Sequence, residues 1–486
     1  MAGAAIKTAR SKVAIDGRTL GATDVAQVAR QHAPVALTRA AAQRNQQAYQ
    51  STFELVRRGV PVYGLNTGVG ALASVGLEGQ GGEEQQKRLL RSHAADAGPS
   101  VNPDIGRAMM IVRANQLAAG GAGVHPELLE RLVAAIAEGY APVFGELGSL
   151  GTGDLTSLAA LGLSLIGERA WQNGELTAAA PLGPRDGLML MSSNAHATGE
   201  AALCAVDAGT LSLNGERCAA LSFEAVRANG SALDARVQDA RAHPGQVAAA
   251  KHLRERLEGV EAAAARLQDS FAFRCLPQVQ GLLRTELERL DQVLRVEINA
   301  GAENALLSGD DALPNGNFHA AELAQALNGL RGALAQAASL SARRIADLMS
   351  GAVTGQNAFL AERPGVDSGL MALEYTAQSA VGELATLATP VPFSAAVSGN
   401  VECHASFASL GARQTTRAVR LHRTVLAAEL LAAVRSFQLR GEPPTGTLNR
   451  ELYQQASEQL GDSLADRPLA PDLIIADSLL AKEGAP

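Results

Sequence analysis

The sequence predicts a mainly helical protein: a bundle of long helices, preceded by a mixed, loop-rich N-terminal region. Three observations carry this. Apolar residues recur at helical spacing through 319–350 and 404–438. Hydrophobic residues make up 47% of the 486-residue chain and aromatics only 3%, so Ala, Leu and Val must do the packing. That favours close helix–helix contact over a β-sandwich. Glycines, by contrast, crowd the first two hundred residues and break them into shorter pieces.

Taken in order, Gly64, Gly68, Gly70 and Gly81-Gly82 punctuate the N-terminal region, with shorter helices around 104–119 and 126–138. A long helix fits 246–267, just after Pro244-Gly245. Leu323, Leu327, Leu330, Leu334, Leu340 and Ile345 then follow at spacings of mostly three or four, with no proline. The last long stretch runs through Val425-Leu426-Ala427-Ala428-Glu429-Leu430-Leu431. Length alone suggests about three domains. The expected division is an N-terminal mainly helical region over 1–200, a central long-helix bundle over 201–410 and a C-terminal helical segment over 411–486.

Composition excludes several functions. A net charge of -7 without a long basic run argues against nucleic acid as a partner. Cys204, Cys218, Cys275 and Cys403 are scattered, so neither a disulfide framework nor a metal site is indicated. Cys403, beside His404, reads as a small buried residue and not as a nucleophile. Residues 1–20 lack an apolar signal core and no later run spans a bilayer. A cytoplasmic, reduced protein with no membrane partner is expected.

Seven segments carry the chemistry. Tyr63-Gly64-Leu65-Asn66-Thr67-Gly68-Val69-Gly70 and Ser92-His93-Ala94-Ala95 lie early, and 148–158 reads Gly-Ser-Leu-Gly-Thr-Gly-Asp-Leu-Thr-Ser-Leu. Gln268–Gln278, Gly316-Asn317-Phe318-His319, Gly365–Met371 and Asn400-Val401-Glu402-Cys403-His404-Ala405-Ser406 follow. In this order they resemble the signature segments of the histidine/phenylalanine/tyrosine ammonia-lyase superfamily, the aromatic amino acid lyases. The resemblance covers nearly the whole chain. It implies an ammonia-lyase/fumarase-like long-helix fold, a homotetramer with active sites drawn from more than one subunit, and elimination of an amine from an aromatic amino acid.

The resemblance also assigns roles. Tyr63 becomes the base that removes the β-proton; a phenol ordinarily ionises near ~10 and needs a supportive environment to act at neutral pH. On its residue type alone, it could simply pack its ring. Arg274 can hold a carboxylate through a bidentate fork, or else bridge helices by pairing with Asp269. Asn66 and Asn317 would support that carboxylate or the active-site loop. His93 and Glu402 occupy positions that face an imidazole in the histidine branch, and together can bond both nitrogens of such a ring. Phe318 and Met371 would line apolar walls, or equally be core.

The departures cluster. The family's Ala-Ser-Gly triad cyclises and dehydrates to methylidene-imidazolone, an electrophile that captures the substrate amine. Here the triad would be Gly151-Thr152-Gly153 in a loop one residue shorter, with Thr152 and Gly153 the reacting positions. Phe271 replaces a family tyrosine, and Ser192-Ser193-Asn194 stands where the family has Asn-Gly-Thr. Asp367, Glu374 and Cys403 replace Asn, Gln and Asp. The changed tyrosine and asparagine are groups that, in the family, assemble or assist the electrophile.

The expected activity is therefore cofactor-free. A quaternary trimethylammonium cannot form the adduct and has no need of it, because it departs as neutral trimethylamine. Phe271 would make room for its methyl groups and offer an aromatic face. A histidine betaine such as ergothioneine, giving thiourocanate, meets these requirements. Two alternatives stay open: a histidine-type ammonia-lyase or aminomutase whose imidazolone forms from Gly151-Thr152-Gly153, and a catalytically silent relative acting as a binding subunit.

Overall fold

A computed structural model describes residues 12–77, 82–176 and 178–481; Gly81 lies outside them. The described chain is mainly helical, with three two-stranded sheets as its strand content. It forms two compact units. Unit one holds residues up to Val206 with Asp291–Leu327 and Val391–Arg413; unit two holds Asp207–Leu290, Asn328–Pro390 and the chain from Gln414. The expected division into three consecutive regions does not follow this grouping. Four of the five boundaries fall inside helices, Ala195–Ala225, Leu276–Glu297, Ala321–Leu348 and Ala408–Arg440. No linker composition marks such a boundary.

In unit one, Asn102 caps the Pro103–Ala118 helix by accepting from the Asp104 N–H, and Pro103 occupies the first turn. This helix is buried continuously from Gly106 to Ala118. Leu155–Leu165 is buried from Ser157 onward. Helices buried on every side form the centre of a core, and the Pro103–Ala118 helix does so while carrying Arg107, Arg113, Asn115 and Gln116. Short pairs tie the loops: Ala97–Ser100 lies antiparallel to Gly145–Leu147, and Leu306–Ser308 to Asp311–Leu313.

In unit two, three helix segments meet at Glu429. Its carboxylate accepts from Arg344 Nε at 2.6 Å and Nη2 at 2.8 Å, and from the hydroxyls of Ser222 at 2.8 Å and Ser341 at 2.5 Å. Arg344 and Glu429 have no exposed side-chain surface. Removing one member would strand a buried charge.

The helices expected over 319–350 and 404–438 appear as Ala321–Leu348 and Ala408–Arg440. The one expected over 246–267 is shorter. Pro244–Arg256 ends there, and Gly259 turns the chain at φ +80°. The following residues run irregularly to Arg266, whose guanidinium bonds the carbonyls of Val226 and Val353.

Candidate active site

Tyr63 sits in a tight loop over an apolar floor of Leu55, Val62, Leu65 and Leu307. Asn66 builds that loop: its Oδ1 accepts from the Val62 N–H at 2.8 Å and its Nδ2 donates to Val60 O at 3.0 Å. Both ends of the amide are thus committed to the backbone, so Asn66 is a loop support. Gly64 has φ +70°, and a Cβ there would fall 2.1 Å from Leu188 Cδ2, so only glycine fits. The Tyr63 hydroxyl oxygen accepts from the Gly70 N–H at 2.7 Å.

The Gly70 turn meets the loop carrying Glu402. A Cβ on Gly70 would overlap Ser398 Oγ, and Ala71 N–H donates to that same oxygen at 3.3 Å. Val397 and Glu402 pair across the base of this loop. Glu402 Oε2 lies 3.5 Å from Thr152 Oγ1. Thr152 in turn forms an antiparallel bridge with His319, and His319 Nε2 lies 2.9 Å from His404 Nδ1. Unit one therefore brings Tyr63, Asn66, Thr152 and Glu402 into one connected network.

Asn194 joins the remaining pieces. Its Oδ1 accepts from Gly153 N–H at 3.3 Å, and its Nδ2 donates to Phe318 O. The Ser192 hydroxyl accepts from Asn304 N–H at 3.0 Å, fixing the 301–305 loop. Asn317 is exposed and donates to Gly301 O at 3.2 Å. His93 ends the Glu83–His93 helix with its Nδ1 2.9 Å from Leu89 O, which leaves Nε2 as the nitrogen available to a ligand. That helix reaches the Tyr63 loop through Gln86, whose amide donates to Gly64 O at 3.3 Å.

Unit two carries Phe271, Arg274 and Met371. Arg274 lies 4.7 Å over the Phe271 ring and donates to Gln268 Oε1 at 2.7 Å. Asp269 pairs with Arg266, not with Arg274. A cavity of about 460 Å³ opens beside them, lined also by Leu267, Val237 and Gln278. Phe271 is 63% and Leu267 89% exposed. Met371 is half-buried and starts the Met371–Leu387 helix. The Asp367 carboxylate is held by Arg363, which keeps it below the usual carboxylate range. Cys403 is exposed, contrary to expectation, on the irregular stretch that precedes the Ala408–Arg440 helix.

Sequence reasoning passed over Gln86, Asn194, Ser406 and the His319–His404 pair. Asn194, His319 and His404 stood inside quoted motifs; the partners in these bonds lie 41 to 124 residues away along the chain and left no local signal.

The triad as it stands does not fit an imidazolone. Ring closure brings the nitrogen of residue 153 onto the carbonyl carbon of residue 151, which needs a compressed turn. Thr152 instead lies in a bridge with His319, a pairing made by extended backbone. Gly151 O accepts from Ser406 Oγ at 2.9 Å, and Gly153 N–H donates to Asn194, so both reacting ends are held. The alanine that the family places first is also excluded, because a Cβ on Gly151 would fall 2.1 Å from Ser406 Oγ. Just beyond, burial pushes the Asp154 carboxyl up to about 7, and its Oδ2 accepts from Ala197 N–H at 2.8 Å.

No group of three or more His, Cys, Asp or Glu among the described residues could hold a metal ion, and no described helix is long and apolar enough to cross a membrane.

Comparison with known proteins agrees with this architecture. The family model for aromatic amino acid lyases matches residues 20–458. A histidine ammonia-lyase from Symbiobacterium thermophilum is 38% identical over 94% of each chain. Among solved structures, the ergothioneine-degrading enzyme ergothionase from Treponema denticola superposes with a TM-score of 0.91 at 26% identity, covering 97% of this chain and 98% of that one. Tyrosine aminomutase from Streptomyces globisporus gives 0.91 at 27% identity over 97% of each chain. The chain belongs to the aromatic amino acid lyase family, and it is a carbon–nitrogen lyase.

Proposed function

We propose that this lyase expels trimethylamine from a histidine betaine of the ergothioneine type, without an imidazolone electrophile. The observation that carries the reading is the Thr152–His319 bridge, with Gly151 O and Gly153 N–H each held by another partner, which opposes ring closure. Beside it the Glu402 carboxylate lies 3.5 Å from the Thr152 hydroxyl. A carboxylate there attracts and orients a cationic substrate nitrogen, which needs no electrophile because it departs as a neutral amine. Because it lies against Thr152, Glu402 is assigned to the leaving-group end of the substrate instead of the imidazole that the resemblance implied, and His93, through Nε2, keeps the imidazole end.

In the proposed reaction Tyr63, as phenolate, takes the β-proton. The electrons of that C–H bond form the alkene, and the Cα–N bond breaks to release neutral trimethylamine and a thiourocanate. The Gly70 N–H directed at the Tyr63 oxygen stabilises negative charge on that atom. Arg274 holds the carboxylate, Asn66 and Ser192 fix the surrounding loops, and Phe318 and Met371 shape the walls. Phe271 has its ring under Arg274, so its role is to position that guanidinium. The active protein is a cytoplasmic homotetramer, with neither nucleic acid nor membrane as a partner. Exposed Leu72, Val75, Val397 and Val401 beside the Tyr63 and Glu402 loops support burial against other copies.

A second reading is histidine ammonia-lyase chemistry with an electrophile built from Gly151-Thr152-Gly153. The names of its sequence relatives favour it, including a second histidine ammonia-lyase from Caldanaerobacter subterraneus at 34% identity. Two measurements separate them. Intact mass should equal that of the unmodified chain under the first reading and be lighter by two waters under the second. Offered histidine and ergothioneine side by side, the protein should release trimethylamine from the latter and little ammonia from the former. Rapid ammonia release from histidine, with the betaine inert, overturns the proposal.

A further inference from the structure

Three short segments of unit one meet around Thr152, and each pair of them is joined differently. Segment 152–153 is tied to 318–319 by the Thr152–His319 bridge and by the Asn194 side chain, which spans Gly153 N–H and Phe318 O. Segment 402–404 reaches 152 through the long contact between Thr152 Oγ1 and Glu402. The third side joins 318–319 to 402–404, and it consists of two imidazoles.

Their geometry is specific. His319 Nε2 and His404 Nδ1 are 2.9 Å apart, with ring centroids 5.0 Å apart and planes tilted by 32°. Phe393 stacks on His404 at 6.2 Å and 25°. At that N···N separation one hydrogen lies between the rings, donated by one and accepted by the other. Burial, with the neighbouring His404 charge second, holds His319 below the usual histidine range and so keeps it available as the acceptor. Next to the pair, Ser406 Oγ and Phe407 N–H bond Gly151 O at 2.9 Å and Leu150 O at 2.8 Å. Those bonds fix the loop just before Thr152, not Thr152 itself.

We propose that His319 and His404 are a positioning pair that locks the Thr152 loop against the Glu402 segment and so sets the distance between the Glu402 carboxylate and the reacting nitrogen. The pair touches no reacting atom and acts through the backbone of Thr152 and the chain linking His404 to Glu402. The role rests on the placement of Glu402 at the leaving-group end and is the same whether the amine expelled is ammonia or trimethylamine.

The test exploits which nitrogen each ring uses. His404 bonds through Nδ1, whose place an asparagine amide can take; alanine leaves nothing. With whichever of histidine and ergothioneine the native protein turns over, His404→Ala should lower kcat by ~10–100-fold while KM stays within about threefold, the signature of misplaced chemistry with binding intact. His404→Asn should recover most of that loss. His319→Gln, whose amide reaches the position of Nε2, should likewise stay near native. Hydrogen exchange of peptides covering 148–154 gives a readout free of any substrate. Exchange should speed up in His404→Ala and return toward native in His404→Asn. If His404→Ala leaves both kcat and exchange unchanged, or if asparagine restores neither, the pair does not position this loop.

Discussion

Tyr63 and His422 illustrate two opposite uses of a polar side chain. The Tyr63 oxygen is met by one backbone donor, Gly70 N–H, on a loop whose floor is fully packed. Tyr63→Phe should keep the fold, costing about 1 kcal/mol for the stranded N–H, and reduce kcat at least ~100-fold by removing the base. Near-native turnover with unchanged melting would take the base away from Tyr63. His422 is fully buried, with no hydrogen-bond partner among the described residues for either ring nitrogen. Burial first, and the Arg344 charge second, push it down to about 3. The folded state therefore holds this ring neutral while the unfolded chain binds a proton below ~6.5. The sign follows: no penalty above that pH, and a growing loss of stability as pH falls from there toward about 3. At pH 5 the loss is roughly 2 kcal/mol, about 1.5 pH units at ~1.4 kcal/mol each. His422→Leu removes both the unsatisfied nitrogens and the linkage. Denaturant unfolding should find the variant at least as stable as the native chain at pH 7, with its advantage larger by roughly 2 kcal/mol at pH 5. A constant difference between the two pH values would show that His422 is protonated or solvated in the fold.

At the scale of the element, the 148–154 loop decides the chemistry, and only part of it was legible. Its glycines and missing residue stood out in the sequence because the motif around them is intact. What fills the space of the missing residue could not be read, since Ser406 and His319 lie 255 and 167 positions away from the residues they meet, Gly151 and Thr152. Helix starts were similarly easier than helix ends. Pro244-Gly245 announced the first, whereas the end at Arg256 is set by Gly259 and by the carbonyls that Arg266 reaches. The Ala195–Ala225 helix leaves no periodic signal in the sequence because most of its length is buried, so its apolar residues run round it instead of forming a stripe. The closeness of the loop gives a sharp expectation for Gly151→Ala. The new methyl would meet Ser406 Oγ at 2.1 Å and Ala408 N at 2.9 Å, on a backbone with φ +78°. We expect a loss of ~1–3 kcal/mol in stability and of most activity. Adding Ser406→Ala relieves the hydroxyl overlap but neither the backbone contact nor the φ, so the double variant should recover only part of both. Native behaviour of the single variant, in melting and in turnover, would show that the loop is looser than these contacts.

For the whole molecule, helical class and long-helix packing follow from composition and spacing, but the two units do not, because the chain passes between them inside continuous helices. The distribution of site residues over those units frames the assembly question. Tyr63, Thr152 and Glu402 belong to unit one; Phe271 and Arg274 belong to unit two, beside a cavity of about 460 Å³ edged by exposed Leu267. If the active site of the proposed tetramer takes its base from one copy and its carboxylate clamp from another, two inactive proteins can repair each other. Tyr63→Phe and Arg274→Ala should each be inactive alone. Unfolded together and refolded as a mixture, they should regain about a quarter of native activity, because random pairing leaves both residues native at that fraction of sites in a symmetric assembly. Mixing the two folded proteins without unfolding should restore nothing until subunits exchange. If the co-refolded mixture forms tetramers and stays inactive, Tyr63 and Arg274 serve the same site from one chain, and the composite site is wrong even though the tetramer is right. A fully active monomer in solution would remove both.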